Sequence, residues 1–224
     1  MRYPIKMATS EKASTMYELS QKCIDQVSRE EVIETGGLEI FINFLKETSP
    51  TKSPEEFKYA CFGLSNLLLK KEDFCKRVHD AGLIDKLITI AIDKSIAANI
   101  RHNIIVLLGS LAKEIHCCLK LCALGEKTIP LLVLFMRSSE KNVAKRSAFA
   151  LASLSSLSES HEHIAKAIAD GTLPKTMVNK NLNEKINSAI QKYINVVFTN
   201  FEARHLKIDE ETYETADFHL RASP

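Results

Sequence analysis

FKYACFGLSNLLLK, residues Phe57 to Lys70, carries the pattern from which the rest of the chain can be read. Phe57, Ala60, Cys61, Leu64, Leu67 and Leu68 recur at three- and four-residue spacing, the stripe that lets a helix bury one side. Phe62 and Asn66 stand one turn apart on a different stripe. The pattern returns along the chain. From Phe62 it is 44 residues to Val106, a further 43 to Phe149, 44 more to Tyr193, and 45 back to Tyr17. Four of those five positions are aromatic in a chain with no tryptophan and only 7% aromatic residues, which marks a helical repeat protein.

A second landmark keeps the same period. Glu34-Thr35-Gly36-Gly37-Leu38, Asp80-Ala81-Gly82-Leu83-Ile84 and Asp170-Gly171-Thr172-Leu173-Pro174 each end a short helix at glycine and open the next. Leu124 to Pro130 reads as the same corner with two extra residues. Pro130 and Pro174 fit the first turn of the following helix. Each unit then reads as short helix, glycine corner, second helix, polar loop and long third helix. The expected second helices are Leu38–Lys46, Leu83–Asp93, Ile129–Met136 and Leu173–Val178. The expected third helices are Glu55–Lys70, Ala97–Ala112, Val143–Ser155 and Leu182–Asn200. Tyr17-Glu18-Leu19-Ser20-Gln21 parallels Phe62-Gly63-Leu64-Ser65-Asn66, so the helix expected over Ala8–Cys23, with Ser10 as its N-cap, is the last helix of a repeat. The chain thus opens on a half-repeat, either a cap or the start of a fragment of a longer array. Three segments result: a disordered leader (1–7), a repeat domain (8–200), and a polar, partly acidic tail (201–224) carrying Asp209, Glu210, Glu211, Glu214 and Asp217.

Composition narrows the classes. The apolar share is 45%, the charged share 26% and the formal net charge +2, so any electrostatic role depends on local arrangement. The apolar runs are too short to span a membrane, and MRYPIKMATSEK has no signal-peptide core. Six cysteines without framework spacing point to buried thiols in a reducing compartment, cytoplasm or nucleus.

These residues resemble the armadillo repeat. Its third helix closes on a Trp-Ala-Leu-Ser-Asn-like run, and its second opens after an Ala-Gly-Ala-Leu-Pro-like corner. Phe62-Gly63-Leu64-Ser65-Asn66 and Phe149-Ala150-Leu151-Ala152-Ser153 match the first; Asp80-Ala81-Gly82-Leu83 and Gly171-Thr172-Leu173-Pro174 match the second. The resemblance covers residues 8–200. It implies an all-α fold, a right-handed α-solenoid of about four three-helix repeats after an N-terminal half-repeat, with third helices lining a concave groove. It also implies a ladder of aromatic and Asn rungs that holds an extended peptide. Here the rungs are Tyr17/Gln21, Phe62/Asn66, Val106/Ser110, Phe149/Ser153 and Tyr193/Val197. One rung keeps Asn and none keeps Trp, which disfavours a receptor for nuclear-localisation signals.

One turn before the rungs lie Lys58, His102 and Lys145, with Lys141 and Arg146 near, a positive strip suited to an acidic or phosphorylated segment. The acidic tail is a candidate internal competitor for that strip. The expected partner site is therefore Lys58, Phe62, Asn66, His102, Val106, Ser110, Lys145, Phe149, Ser153 and Tyr193, and the partner a protein or peptide. His116, Cys117, Cys118 and Cys122 form a metal-like cluster, but Cys118 and Cys122 share a helix face that His116 leaves, so they read as core. His161 and His163 read as exposed. No phosphate loop, zinc-protease helix or nucleophile elbow appears, so no enzyme, metal or cofactor is expected. A chaperone cofactor of the armadillo-like nucleotide-exchange type and a single-stranded RNA-binding solenoid are the alternatives.

Overall fold

The computed structural model describes residues 9–69, 72–177 and 180–209; the expected leader, the end of the tail and, apart from Asp209, the tail's competing acidic span lie outside them. Among the described residues there is no strand. None of the described helices is long and apolar enough to cross a membrane. The chain divides into two compact units between Cys117 and Cys118.

The first unit holds α1 (Thr9–Lys22), α2 (Gln26–Glu34), α3 (Gly37–Glu47), α4 (Pro54–Leu67), α5 (Glu72–Asp80), α6 (Leu83–Ile92) and α7 (Ala98–Leu111). α4 packs on α1 and on α7, so the third helices of successive repeats stack directly, while α3 and α6 back them. Phe41, Phe57, Leu64, Leu87 and Ile104 are fully buried there. Gly63 lets α4 close on α3, because a Cβ at that position would lie 2.3 Å from Phe41 Cζ. Two cations bridge between repeats or helices. Lys86 Nζ donates to the carbonyls of Lys46 (2.7 Å) and Thr48 (2.8 Å) at the end of α3, and Arg101 Nε donates to Ala91 O on α6 (2.9 Å).

The corners at Gly36, Gly82 and Gly171 hold φ of 80°, 69° and 72°. Nothing lies within 4 Å of a Cβ built at any of the three, so the need for glycine there is conformational, not spatial. Gly82→Ala is expected to cost about 1 kcal/mol and Gly82→Asn clearly less, read from urea midpoints; equal costs would mean that something other than backbone strain decides the corner.

α8 (Ile115–Ala123) contains the division between the units; the second unit continues with α9 (Gly125–Phe135), α10 (Lys141–Ser155), a 3-10 turn (Ser158–Ser160), α11 (His161–Ala169) and α12 (Glu184–Asp209). α10 packs on α12 and on α9, and Asn200 Nδ2 pins α12 to the buried Ser155 Oγ at 2.9 Å.

Five local expectations are corrected. Ser10 sits inside α1, so it is not the cap. Gly125 is not a left-handed corner: α9 begins on it, with Lys127 N and Thr128 N both donating to Leu124 O at 2.9 Å. Pro130 consequently falls in the interior of α9, past the first turn. Residues 173–177 form no helix, which leaves Pro174 outside one. Thr172 Oγ1 bonds Asp170 Oδ1 and Ala167 O, Leu173 N donates to Ala167 O (2.8 Å), and Gln191 of α12 takes the next backbone groups, accepting from Met177 N (3.0 Å) and donating to Lys175 O (2.8 Å). These side chains satisfy the backbone that a second helix would have satisfied itself. Finally, α12 does not stop at residue 200: Ile190, Ile194, Val197, Phe198 and Phe201 keep one apolar stripe running, and the Phe201 ring lies 6.3 Å from that of His161.

Candidate partner-binding site

Burial separates each third helix into a core side and an accessible stripe. On α4 the residues left partly accessible include Lys58, Tyr59, Phe62, Asn66 and, just past its end, Leu69, spaced three and four apart. Asn66 Nδ2 is buried and has no hydrogen-bond partner among the described residues, one turn from the half-buried Phe62. Lys58 is held by Glu55 on its own helix and lies over the Tyr59 ring, 4.6 Å from its centroid. Its charge is therefore largely spoken for. The Tyr17 ring meets Tyr59 edge-on at 5.0 Å, so the aromatic contact from α1 reaches α4 three residues before Phe62.

On α7, His102 and Val106 are half-buried, but Ser110 is fully buried and donates to Val106 O at 3.1 Å. The expected rung closes on its own helix, because a serine hydroxyl is short enough to reach the carbonyl a turn behind it. Ser153 on α10 does the same, donating to Phe149 O at 3.1 Å, though it stays partly accessible. On α12 the valine expected at a rung, Val197, is core, and Val196 takes the accessible position beside Tyr193.

The residues brought together most tightly are in the second unit. Asn142, Lys145, Arg146 and Phe149 follow each other at i, i+3, i+4 and i+7 along α10, and with Tyr193 of α12 they line a recess of about 230 Å³. The Phe149 and Tyr193 rings meet edge-on, 5.6 Å apart at 81°. Burial draws the Arg146 guanidinium below its ordinary pKa, with Tyr193 pulling the other way. Arg146 is thus more central than its sequence position beside the strip implied.

A second recess of about 230 Å³ lies between α9 and α11, lined by residues that include Pro130, Leu134, Arg137, His163 and Lys166. His163 is half-buried against Gly125, where a Cβ would come within 2.3 Å of its Cδ2, and the half-buried His161 has Nε2 3.2 Å from Ser155 O. Neither is the exposed loop histidine expected. Cys117, Cys118 and Cys122 are buried free thiols, and Cys117 Sγ lies 3.4 Å from Cys75 O. Among the described residues no group of three side chains is placed to hold a metal.

Several solved structures share this architecture. An engineered protein of the Northeast Structural Genomics Consortium is 19% identical and matches 92% of this chain and 81% of its own with a TM-score of 0.67. A computationally designed armadillo repeat protein for modular peptide recognition is 20% identical over 86% of this chain and 76% of its own, TM-score 0.61. A designed armadillo repeat protein in complex with the peptide (KR)4 is 16% identical over 88% and 95%, TM-score 0.51. No protein-family model and no curated protein matches the sequence. With the stacked third helices and the glycine corners, these likenesses establish that the chain has the armadillo-repeat fold, an all-α solenoid.

Proposed function

We propose that the protein is a non-enzymatic scaffold that recognises an extended segment of a protein partner on the accessible stripes of its third helices. The observation that carries the reading is the Asn66 amide. A buried N–H without a partner costs free energy, and an Asn beside an aromatic on an accessible helix stripe is placed to exchange hydrogen bonds with a peptide backbone once its amide turns outward. The fold adds support, since designed proteins that share it recognise peptides. The peptide (KR)4 held by one of them is basic. Here Lys145 and Arg146 make the accessible stripe of α10 cationic, so the segment expected is acidic or phosphorylated.

Selection of displayed linear peptides on the full chain tests the reading. Enriched peptides should lose about tenfold or more in affinity to Asn66→Ala and to Phe62→Ala. Failure to enrich any linear peptide, with binding to a folded nucleotide-binding domain instead, would favour the chaperone-cofactor alternative. Salt-dependent binding of single-stranded RNA would favour the nucleic-acid one.

A further inference from the structure

Several cations among the described residues, Arg29, Arg77, Arg101 and Arg137 included, have an acceptor in place. Lys22 faces Glu31, Lys58 faces Glu55, Arg77 faces Glu39 and Lys175 faces Glu202. Others use backbone carbonyls: Arg29 donates to Cys23 O and Ile24 O, and Arg137 to Thr172 O. Arg146 differs from these arginines. It is half-buried, yet among the described residues its guanidinium makes no hydrogen bond or ion pair. A guanidinium carries five N–H donors in a fixed fork, and taking it out of water without acceptors is costly.

The side chains around it add donors and no acceptor charge. Asn142 brings an amide, Lys145 a second cation at the rim and Tyr193 a phenol; among the described residues no carboxylate lines the recess. Phe149 and Tyr193 supply an apolar wall beside the charge.

We propose that this recess seats an oxyanion head group, carboxylate or phosphate, carried by a side chain of the partner. The inference rests on the partner-segment reading above and adds the anchor that such a segment would present. Arg146 takes two oxygens in its fork, Lys145 closes from the rim, and the aromatic pair packs the stem of the side chain. Adjacent cations repel one another and would reject a basic residue. They also favour a dianion over a monoanion, so a phosphorylated side chain should bind more tightly than a carboxylate.

The test uses inorganic phosphate and acetate as probes, at constant ionic strength, followed through the Arg146 Nε–Hε and Tyr193 ring signals by NMR. Phosphate should move both signals saturably. Arg146→Gln should weaken phosphate binding by about tenfold or more, and Arg146→Lys should restore only part, because an ammonium cannot chelate. Lys145→Gln, at an exposed position, should weaken it about threefold and serves if Arg146→Gln fails to fold. Acetate weaker than phosphate identifies phosphorylated side chains as the source; acetate equal to it identifies carboxylates. No saturable shift at Arg146, or phosphate affinity unchanged in both Arg146→Lys and Lys145→Gln, overturns the proposal. The two readings separate cleanly. Phosphate binding without any linear-peptide binding sinks the scaffold and keeps the pocket, whereas peptides indifferent to Arg146→Lys and Lys145→Gln sink the pocket and keep the scaffold.

Discussion

Phe41→Ala is expected to destabilise the first unit by about 3–5 kcal/mol, since the ring is fully buried and its loss leaves a cavity that the helices around it cannot close. Its contact with Gly63 makes the sharper test. In the wild-type background Gly63→Ala drives a methyl to 2.3 Å from Phe41 Cζ, and should cost about 1–3 kcal/mol by overpacking. In the Phe41→Ala background that obstruction is gone. The same substitution should then stabilise α4 by about 1 kcal/mol, the ordinary gain of alanine over glycine within a helix. The sign of the effect reverses. Urea midpoints of the four proteins give the cycle; effects that add within about 0.5 kcal/mol would mean that Gly63 is not kept for Phe41.

The second large effect is chemical. All six cysteines are buried free thiols. Burial pushes Cys23 from 9.0 up to about 12, against a smaller pull from Arg29. Burial, reinforced by Glu159, pushes Cys122 up to about 11, and burial raises Cys61 as well. A rise from 9.0 to about 12 leaves about a thousandfold less thiolate on Cys23 at pH 8, so native protein should react with a thiol reagent only as fast as it opens, while urea-unfolded protein should titrate all six at once. The sign for stability follows. Folding favours the neutral thiols, so their contribution is whole below pH 9.0 and is lost as pH rises toward 11–12. Urea midpoints should therefore fall above pH 9, and fall less steeply in Cys23→Ala. Rapid labelling of the native protein at pH 8 would show that the thiols are accessible and the shifts absent.

Much of the architecture was legible because it rests on periodic demands. A glycine at 36, 82 and 171 answers a backbone angle, and an aromatic at 17, 62, 149 and 193 answers a place on a stripe; both can be counted along the chain. The departures come from choices that are not periodic. Gly125 looks like a corner by composition, but Leu124 starts the helix before it. The helix expected from Leu173 gives way to a turn stitched by Asp170 and Thr172 and to Gln191, whose claim on Lys175 and Met177 is invisible until α12 lies beside them. The site was half legible for a similar reason. Spacing found Phe62, Lys145, Phe149 and Tyr193, but spacing cannot tell that Lys58 has Glu55 while Arg146 has no such counterpart among the described residues, or that Ser110 turns inward.

Lys86 has a reach beyond its own repeat. The last carbonyls of a helix have no partner inside it, and those of Lys46 and Thr48 receive theirs from an ammonium that belongs to the following repeat. The repeat running from α2 to α4 is thus finished by its neighbour and cannot be lifted out whole. In the nearest-neighbour language of linear arrays, this joint moves free energy from the single repeat into the coupling between repeats, which favours melting of the first unit as one block over fraying a repeat at a time.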